Sequence, residues 1–258
     1  AWLMRYYTLL RTHQQHRQIR KGLLQQYGHY AEYLLPQRRL SDLFPEHVHV
    51  MVQIPMGQIV RDNVIEMPLP ELLSLAALTQ ALQPQQVFEF GTYIGASTMA
   101  IAQNSSADTH IYTLDLDPDI HAQYLQNAGY NRRFVFRPGE RFQGKPEQKK
   151  ITQLYVGSDS FDFSPYYGKM DFIFIDANHS YDYVKADTLA AFKMLKAGGV
   201  IVWDDYVWKE ENAECVGVTR YLNELADTKP IYRIAQTRLG IYVDPAAGTP
   251  HSTLHRHR

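Results

Sequence analysis

The sequence predicts an α/β fold, in which a doubly wound, mostly parallel sheet of seven strands carries helices on both faces. Two observations predict this class. Short segments of continuous apolar residues, the pattern of strands that are buried on both faces, alternate with helical segments from about residue 59 onward. The last two strand segments stand close together, which indicates that the sheet ends in an antiparallel pair.

The predicted elements follow one another in a regular order. The first helix, residues 71–82, lies between Pro70 and Pro84, because proline favours helix boundaries over helix interiors. The other predicted helices are 96–103, 120–128, 183–195 with its end at the glycine pair 198–199, and 218–225. The predicted strands are 87–90, 111–114, 151–156, 171–175, 200–203, 231–235 and 240–243.

The chain divides into three predicted regions. Residues 1–50 hold seven Lys/Arg against three Asp/Glu and show helical spacing of apolar residues, so they are expected to form a helical extension or cap. A basic helix face is able to touch nucleic acid, but a solvated face is the preferred interpretation. Residues 51–245 are the expected α/β domain. Residues 246–258 are expected to be a flexible tail, with metal binding by its three histidines as the less favoured alternative.

The amino-acid composition excludes several classes of function. The 26 Lys/Arg and 27 Asp/Glu residues leave a net charge of −1, so no global field recruits nucleic acid or a membrane. Cys215 is the single cysteine, which excludes a disulfide framework and a multi-cysteine zinc site. No apolar run reaches the roughly 18 residues of a spanning helix. A cytoplasmic enzyme or binding protein is therefore expected, with a homo-oligomer left open.

A glycine-rich turn connects the first buried strand to a helix. It reads Glu89-Phe90-Gly91-Thr92-Tyr93-Ile94-Gly95-Ala96-Ser97, and glycines permit the backbone to turn tightly or to approach a ligand. The dinucleotide pattern G-x-G-x-x-G is absent, which makes a nicotinamide oxidoreductase the least favoured enzyme. Asp115 ends the next strand, where an acid accepts the hydroxyls of a ribose. The alternative is an ordinary tight strand–helix connection.

The glycine turn and the Asp115-Leu116-Asp117-Pro118 strand end resemble the first two motifs of the class I S-adenosylmethionine-dependent methyltransferases, which have a Rossmann-like fold. The resemblance implies that S-adenosylmethionine binds here, with Asp115 on the ribose and Glu89 near the methionine amino group. It also implies cofactor contacts from Gly91, Tyr93, Gly95, Ser97 and Asp176, and adenine contacts from Gly157, Asp159 and Ser160. For Asp159, an ordinary loop acid is an equal alternative.

Two further strands end in carboxylates. Asp176 follows the strand 171–175, and Asp204 and Asp205 follow the strand 200–203. If these strands neighbour the one that ends at Phe90, the three carboxylates meet beside the cofactor at the carboxyl edge of the sheet. Carboxylates in one cleft repel unless they share a proton or a cation, and oxygen-only ligation suits Mg²⁺, Mn²⁺ or Ca²⁺ rather than zinc. The alternative is that Asp204 and Asp205 only cap the following loop.

These segments, Ile175-Asp176-Ala177-Asn178-His179-Ser180-Tyr181 and 198–205, resemble the divalent-metal-dependent O-methyltransferases of the catechol and macrolide-sugar types. The resemblance covers about residues 55–245 and implies Mg²⁺ as a second cofactor and a small hydroxylated molecule as acceptor. Asp205 stands where the catechol type has asparagine, and His179 stands at the position of its catalytic lysine, so His179 is the expected general base. The alternatives are a metal-independent N- or protein methyltransferase and a non-catalytic scaffold with the same fold.

Overall fold

A computed structural model describes residues 34–54, 67–120, 138–207 and 215–247. The α-helices of these ranges are α1 (Leu40–Leu43), α2 (Leu69–Leu82), α3 (Ala96–Asn104), α4 (Tyr181–Met194) and α5 (Val216–Leu225). The strands are β1 (Gln37–Arg38), β2 (Gln86–Phe90), β3 (His110–Asp115), β4 (Ile151–Tyr155), β5 (Met170–Ile175), β6 (Leu195–Trp203), β7 (Ile231–Ile234) and β8 (Gly240–Val243). All eight form one sheet, in the order β1-β7-β8-β6-β5-β2-β3-β4.

The doubly wound, mostly parallel architecture is confirmed. The central strands β6, β5, β2, β3 and β4 pair in parallel, while β8 runs antiparallel to both β6 and β7. The order places β2 between β3 and β5, so the chain crosses to opposite sides of β2 in its two halves. The carboxyl ends of β2, β5 and β6 are therefore neighbours, as the sequence predicts, and a doubly wound sheet binds ligands at this kind of edge.

The core has two layers, one on each face of the sheet. Alternate residues of a strand point to opposite faces, so Phe88 and Phe90 of β2 pack with α4 and α5, whereas Val87 packs with α2 and α3. The same alternation divides β5 and β6 between the two layers. Because these strands are buried on both faces, the carboxyl edge of the sheet is held rigidly, and the residues that follow the strands are positioned by it.

Two details differ from the sequence prediction. The helix α4 ends at Met194, and β6 begins at Leu195, so the glycine pair 198–199 lies inside a strand rather than beyond a helix. Leu195 pairs with Met170 and Val200 pairs with Phe172, and the residues between them form a bulge. The pairing with β5 decides this boundary, because the segment 195–199 has no strand-like alternation of its own.

The second difference is an eighth strand. The expected extension 1–50 contributes β1, which pairs in parallel with β7, and the short helix α1. The rest of that extension up to residue 33, most of the expected helix 120–128 and the tail from residue 248 lie outside the described residues, so these expectations stay predictions, as does the three-region division. In the part of the chain that the structure describes, no helix has the length and apolar character needed to cross a membrane.

Candidate active site

The glycine turn lies against the end of β5. Gly91 has a φ of +88°, a conformation that L side chains rarely adopt, and a Cβ built on it would lie 2.0 Å from the carbonyl oxygen of Asp176. Gly95 has a φ of +87° and begins α3, with the buried ring of Phe142 against its Cα. Tyr93 lies between them with a φ of 48° and is half-buried. Both glycines are therefore required by the close approach of backbone or side chain.

Asp115 stabilises the glycine turn through hydrogen bonds to its backbone. Its Oδ2 accepts hydrogen bonds from the backbone N–H groups of Thr92, at 3.0 Å, and Tyr93, at 2.6 Å. Its Oδ1 accepts one from the N–H of Leu116, at 2.7 Å. A carboxylate offers about four acceptor positions, so one position on Oδ1 remains for a ligand hydroxyl. The carboxylate predicted to hold a ribose thus also fixes the backbone of the glycine turn.

Glu89 and Ser97 contact each other rather than solvent. The Glu89 side chain is completely buried, and it accepts hydrogen bonds from Ser97 Oγ at 2.6 Å and from Thr98 Oγ1 and Thr113 Oγ1 at 2.5 Å each. Burial raises the pKa of Glu89 to about 7, although the three hydroxyl groups lower it and the negative charge of Asp176 adds to the rise. Glu89 therefore connects β2 to β3 and to the first turn of α3, directly beneath the glycine turn.

The turn after β4 holds the three residues that were expected to contact adenine. Asp159 and Ser160 are exposed, and Ser160 Oγ donates to the carbonyl oxygen of Gly157 at 3.2 Å. A Cβ on Gly157 would lie 2.6 Å from Asp159 Oδ1 and 3.6 Å from Leu116 Cδ2. Leu116 directly follows Asp115, so this turn and the Asp115 strand end are adjacent.

The three aspartates meet as the sequence predicts. Asp176 follows β5, Asp204 and Asp205 follow β6, and one carboxylate oxygen of each lies within 4.8 Å of the others. Asp204 and Asp205 are buried and Asp176 is half-buried. Burial raises the pKa of Asp204 well above its ordinary value, and the charges of Asp176 and Asp205 add to the rise. Burial also raises the pKa of Asp176. The cluster is therefore short of positive charge.

Arg238 supplies part of that charge, and sequence reasoning missed it. It lies in the turn between β7 and β8, with Nη1 2.7 Å from Asp205 Oδ1 and Nη2 3.6 Å from Asp204 Oδ2. The buried Glu71, at the start of α2, accepts the backbone N–H of Arg238 at 2.9 Å. The negative charges of Asp204, Asp205 and Glu71 raise the pKa of Arg238 in spite of its partial burial, which by itself lowers it. No sequence pattern marks this arginine, because the sheet brings it to the site.

His179 and Cys215 complete the cluster. His179 Nε2 lies 3.0 Å from Asp205 Oδ2 and 3.6 Å from Asp176 Oδ1, and Nδ1 lies 3.7 Å from the Sγ of Cys215. Burial lowers the pKa of His179, but the hydrogen bonds and charges of its neighbours, above all Asp176, raise it to about 11. These carboxylates, with no ion to offset them, favour the protonated form of the His179 imidazole. Cys215 is the single cysteine of the chain, and no sequence pattern places it at the site.

The donor set fits a hard divalent cation. Three carboxylates supply oxygen ligands within reach of one ion, which is the ligation that Mg²⁺ and Mn²⁺ prefer. Oδ1 of Asp205 is buried and accepts no hydrogen bond of good geometry, although the Arg238 guanidinium lies beside it. The residues therefore fit the group that the resemblance implies.

Strand order, glycine turn and acidic strand ends together define a fold of the class I methyltransferase type. A family profile described as a methyltransferase domain matches residues 88–206, which include the glycine turn, Asp115 and all three aspartates of the cluster. Residues 88–206 are therefore similar to a methyltransferase domain, and the curated relatives that the chain matches are named as O-methyltransferases and other methyltransferases.

Two curated relatives illustrate the similarity. Tapetum-specific methyltransferase 1 of Arabidopsis thaliana is 24% identical over 215 residues, which are 76% of this chain and 85% of that one. Catechol O-methyltransferase B of Danio rerio is 26% identical over 160 residues, which are 60% of this chain and 52% of that one, so the match spans about half of that relative. Among solved structures, the SAH-bound methyltransferase PaMTH1 of Podospora anserina shares the fold, with a TM-score of 0.51 and 15% identity over 74% of this chain and 82% of that one.

Proposed function

We propose that this protein transfers the methyl group of S-adenosylmethionine to a hydroxyl group of a small molecule, with a divalent cation, Mg²⁺ in the first place, at the three aspartates. The observation that carries the proposal is the convergence of Asp176, Asp204 and Asp205 beside the glycine turn. The catechol O-methyltransferase among the relatives supports a hydroxylated acceptor.

The cofactor is proposed to lie along the carboxyl ends of β2 and β3. The first turn of α3 offers backbone N–H groups to a carboxylate, and the free acceptor position on Asp115 offers a partner to a ribose hydroxyl. The exposed turn at Asp159 and Ser160 borders the expected adenine end. Gly91 permits the cofactor turn to approach Asp176 closely, which would bring the methyl group next to the acidic cluster.

Methyl transfer is a displacement at the sulfonium methyl, so the acceptor oxygen must be deprotonated and aligned with that methyl. A divalent cation at the three aspartates supplies positive charge that lowers the pKa of an acceptor hydroxyl and offsets the negative charge around His179. About a third of the His179 side chain is exposed, so the imidazole is in a position to exchange protons with solvent, and we propose that it takes the proton of the acceptor. Because the pKa of His179 is about 11 beside uncompensated carboxylates, this role depends on that offset.

Calorimetric titration of S-adenosylhomocysteine, first with Mg²⁺ and then with EDTA, tests the cofactor. We expect micromolar binding in both conditions, and methyl transfer to a panel of catechol and sugar hydroxyls only with Mg²⁺. Absence of binding in both conditions would contradict the methyltransferase proposal. Equal transfer in EDTA would contradict the metal and favour methylation of nitrogen or of a protein without one.

Asp204→Asn tests the metal site separately from the cofactor site. The variant keeps the Oδ1 that accepts the N–H of Asp205 at 2.7 Å but loses one anionic ligand. We expect Mg²⁺ affinity to fall by more than about tenfold, while affinity for S-adenosylhomocysteine stays nearly unchanged. Asp171→Asn is the matched control, because Asp171 lies at the opposite end of β5 and should leave both affinities unchanged. An equal loss of cofactor affinity in Asp204→Asn would assign Asp204 a structural role.

A further inference from the structure

A second set of ligand atoms overlaps the carboxylate cluster. One ligand atom from each of His179, Asp205 and Cys215 lies within 4.8 Å of the others, and this set offers nitrogen, oxygen and sulfur instead of oxygen alone. Cys215 is the single cysteine of the chain and is almost completely buried at the start of α5. Its Sγ lies 3.7 Å from Nδ1 of the His179 imidazole.

We propose that His179, Asp205 and Cys215 form a site for a thiophilic divalent cation, of which Zn²⁺ is the prototype, distinct in ligand chemistry from the all-oxygen site of the three aspartates. Thiolate and imidazole ligands favour Zn²⁺ and Co²⁺ over Mg²⁺. Three protein ligands leave one tetrahedral position for water.

The spacing of the sulfur and nitrogen atoms agrees with tetrahedral ligation. With Zn–S and Zn–N bonds of about 2.3 and 2.1 Å, a tetrahedral angle separates the two ligand atoms by about 3.6 Å. Sγ of Cys215 and Nδ1 of His179 lie 3.7 Å apart. The sulfur and nitrogen ligands therefore need almost no rearrangement. Asp205 needs more, because its Oδ2 lies 3.0 Å from Nε2, the other ring nitrogen, and its Oδ1 pairs with Arg238 at 2.7 Å, so its side chain has to rotate to supply the oxygen ligand.

The backbone holds this pair of ligands in place. Gly217 lies two residues after Cys215, and a Cβ on it would lie 2.3 Å from the carbonyl oxygen of His179 and 2.4 Å from the backbone N of Tyr181. The first turn of α5 is thus packed directly on the turn that carries His179. About a third of the His179 side chain is exposed, so one ligand of the site is in contact with solvent.

Occupation of this site would remove two residues from the proposed methyl transfer. Binding displaces the protons of the thiol and of the imidazolium to solvent, so that the ion is held by a thiolate, a neutral imidazole and a carboxylate. Asp205 is then no longer available to the aspartate cluster, and His179 no longer exchanges protons with an acceptor. The consequence, which rests on the proposed function, is that Zn²⁺ inhibits methyl transfer by competing with Mg²⁺.

Titration of the purified protein with Co²⁺ tests the site without any assay of activity. Cys215 is the only cysteine of the chain, so a thiolate-to-cobalt charge-transfer band can arise only from Cys215. We expect one saturable band that Zn²⁺ abolishes and that equimolar Mg²⁺ leaves intact. The histidine-rich tail gives no such band, so its binding of cobalt does not interfere. Absence of the band in the unmodified protein would overturn the proposal.

Two variants assign the ligands. Cys215→Ser should abolish the band and lower Zn²⁺ affinity by more than about tenfold, and His179→Ala should do the same. If His179→Ala still gave the band and bound Co²⁺ with undiminished affinity, the three-residue site would be overturned. In the activity arm, Zn²⁺ should inhibit the unmodified protein but not Cys215→Ser. A band without any methyl transfer would contradict the proposed function and leave the site standing, so the two failures are distinguishable.

Discussion

Glu89 shows what a single buried carboxyl group does to the pH dependence of stability. Burial raises the pKa of Glu89 from 4.5 to about 7, so the folded state binds this proton more tightly than the unfolded state. The resulting stabilisation is fully present below pH 4.5 and is lost as the pH rises through about 7. Its upper limit is about 3 kcal/mol.

Glu89→Gln removes this titration, because the amide accepts the two threonine hydroxyls through its oxygen and donates to Ser97 through its nitrogen. We expect the free energy of unfolding of the variant, relative to the unmodified protein, to increase between pH 4.5 and 7. Urea unfolding across that range measures it. Parallel profiles of the two proteins would show that Glu89 does not titrate there.

Arg238 is the residue that limits repulsion within the aspartate cluster. Arg238→Met keeps much of the side-chain volume but leaves Asp204, Asp205 and Glu71 without their cation, which we expect to cost on the order of 3 kcal/mol of stability. Mg²⁺ should therefore raise the melting temperature of the variant by more than it raises that of the unmodified protein. Thermal unfolding with and without Mg²⁺ provides the measurement.

Arg39→Met is the control for this effect. Arg39 also pairs with an aspartate, Asp42, at 3.1 Å, but most of its side chain is exposed to solvent, where ion pairs contribute little. We expect a small change in stability that is independent of Mg²⁺. If Arg238→Met behaved like Arg39→Met, the guanidinium would have no part in balancing the cluster.

At the scale of elements, the glycine turn and the strand ends carry the predictable part of the site. Asp176, Asp204 and Asp205 follow strands whose apolar runs are visible in the sequence, and the order of a doubly wound sheet brings them together. Arg238 and Cys215 are visible only in three dimensions, because a hairpin turn and a helix start bring them to the site from the last part of the chain. The start of β6 at Leu195 is not predictable from the sequence for a similar reason, because the pairing of Leu195 with Met170 sets it.

Gly91→Ala tests how closely the turn and the end of β5 depend on each other. The alanine has to adopt a φ near +88° and its Cβ has to displace the Asp176 carbonyl, so the turn and the metal ligand must separate. Gly168→Ala is the matched control, with a φ of +65° and open space around its Cβ, and it should lose only the roughly 1–2 kcal/mol of left-handed strain.

We expect Gly91→Ala to lose more stability than the control and, unlike the control, to bind S-adenosylhomocysteine more weakly. Urea unfolding and calorimetry measure the two effects. Equal losses of stability in both variants, with unchanged cofactor affinity, would mean that the turn relaxes away from β5 without consequence.

At the scale of the whole molecule, the segment before the domain is tied to the residue that follows the aspartate pair. Residues 37–38 extend the sheet beside β7, where the N–H of Arg233 donates to the carbonyl oxygen of Pro36 at 3.0 Å. The buried hydroxyl of Tyr206 accepts the N–H groups of Leu34 at 2.7 Å and Leu35 at 3.0 Å. The same hydroxyl donates to Oδ1 of Asn223 on α5 at 2.7 Å. One side chain therefore links this segment, the loop after β6 and a helix.

Tyr206→Phe removes these three hydrogen bonds and leaves the ring in the core. At a net value of about 1 kcal/mol for each bond, we expect a loss of about 2–3 kcal/mol, and the amides of Leu34 and Leu35 should exchange with solvent about tenfold faster or more. Hydrogen exchange measured amide by amide provides the test. Tyr242→Phe is the matched control, because Tyr242 is equally buried but its hydroxyl reaches only Asp244, at 3.4 Å. If both variants left these two amides equally protected, the pairing of β1 with β7 would be sufficient to hold the segment, and Tyr206 would serve the core alone.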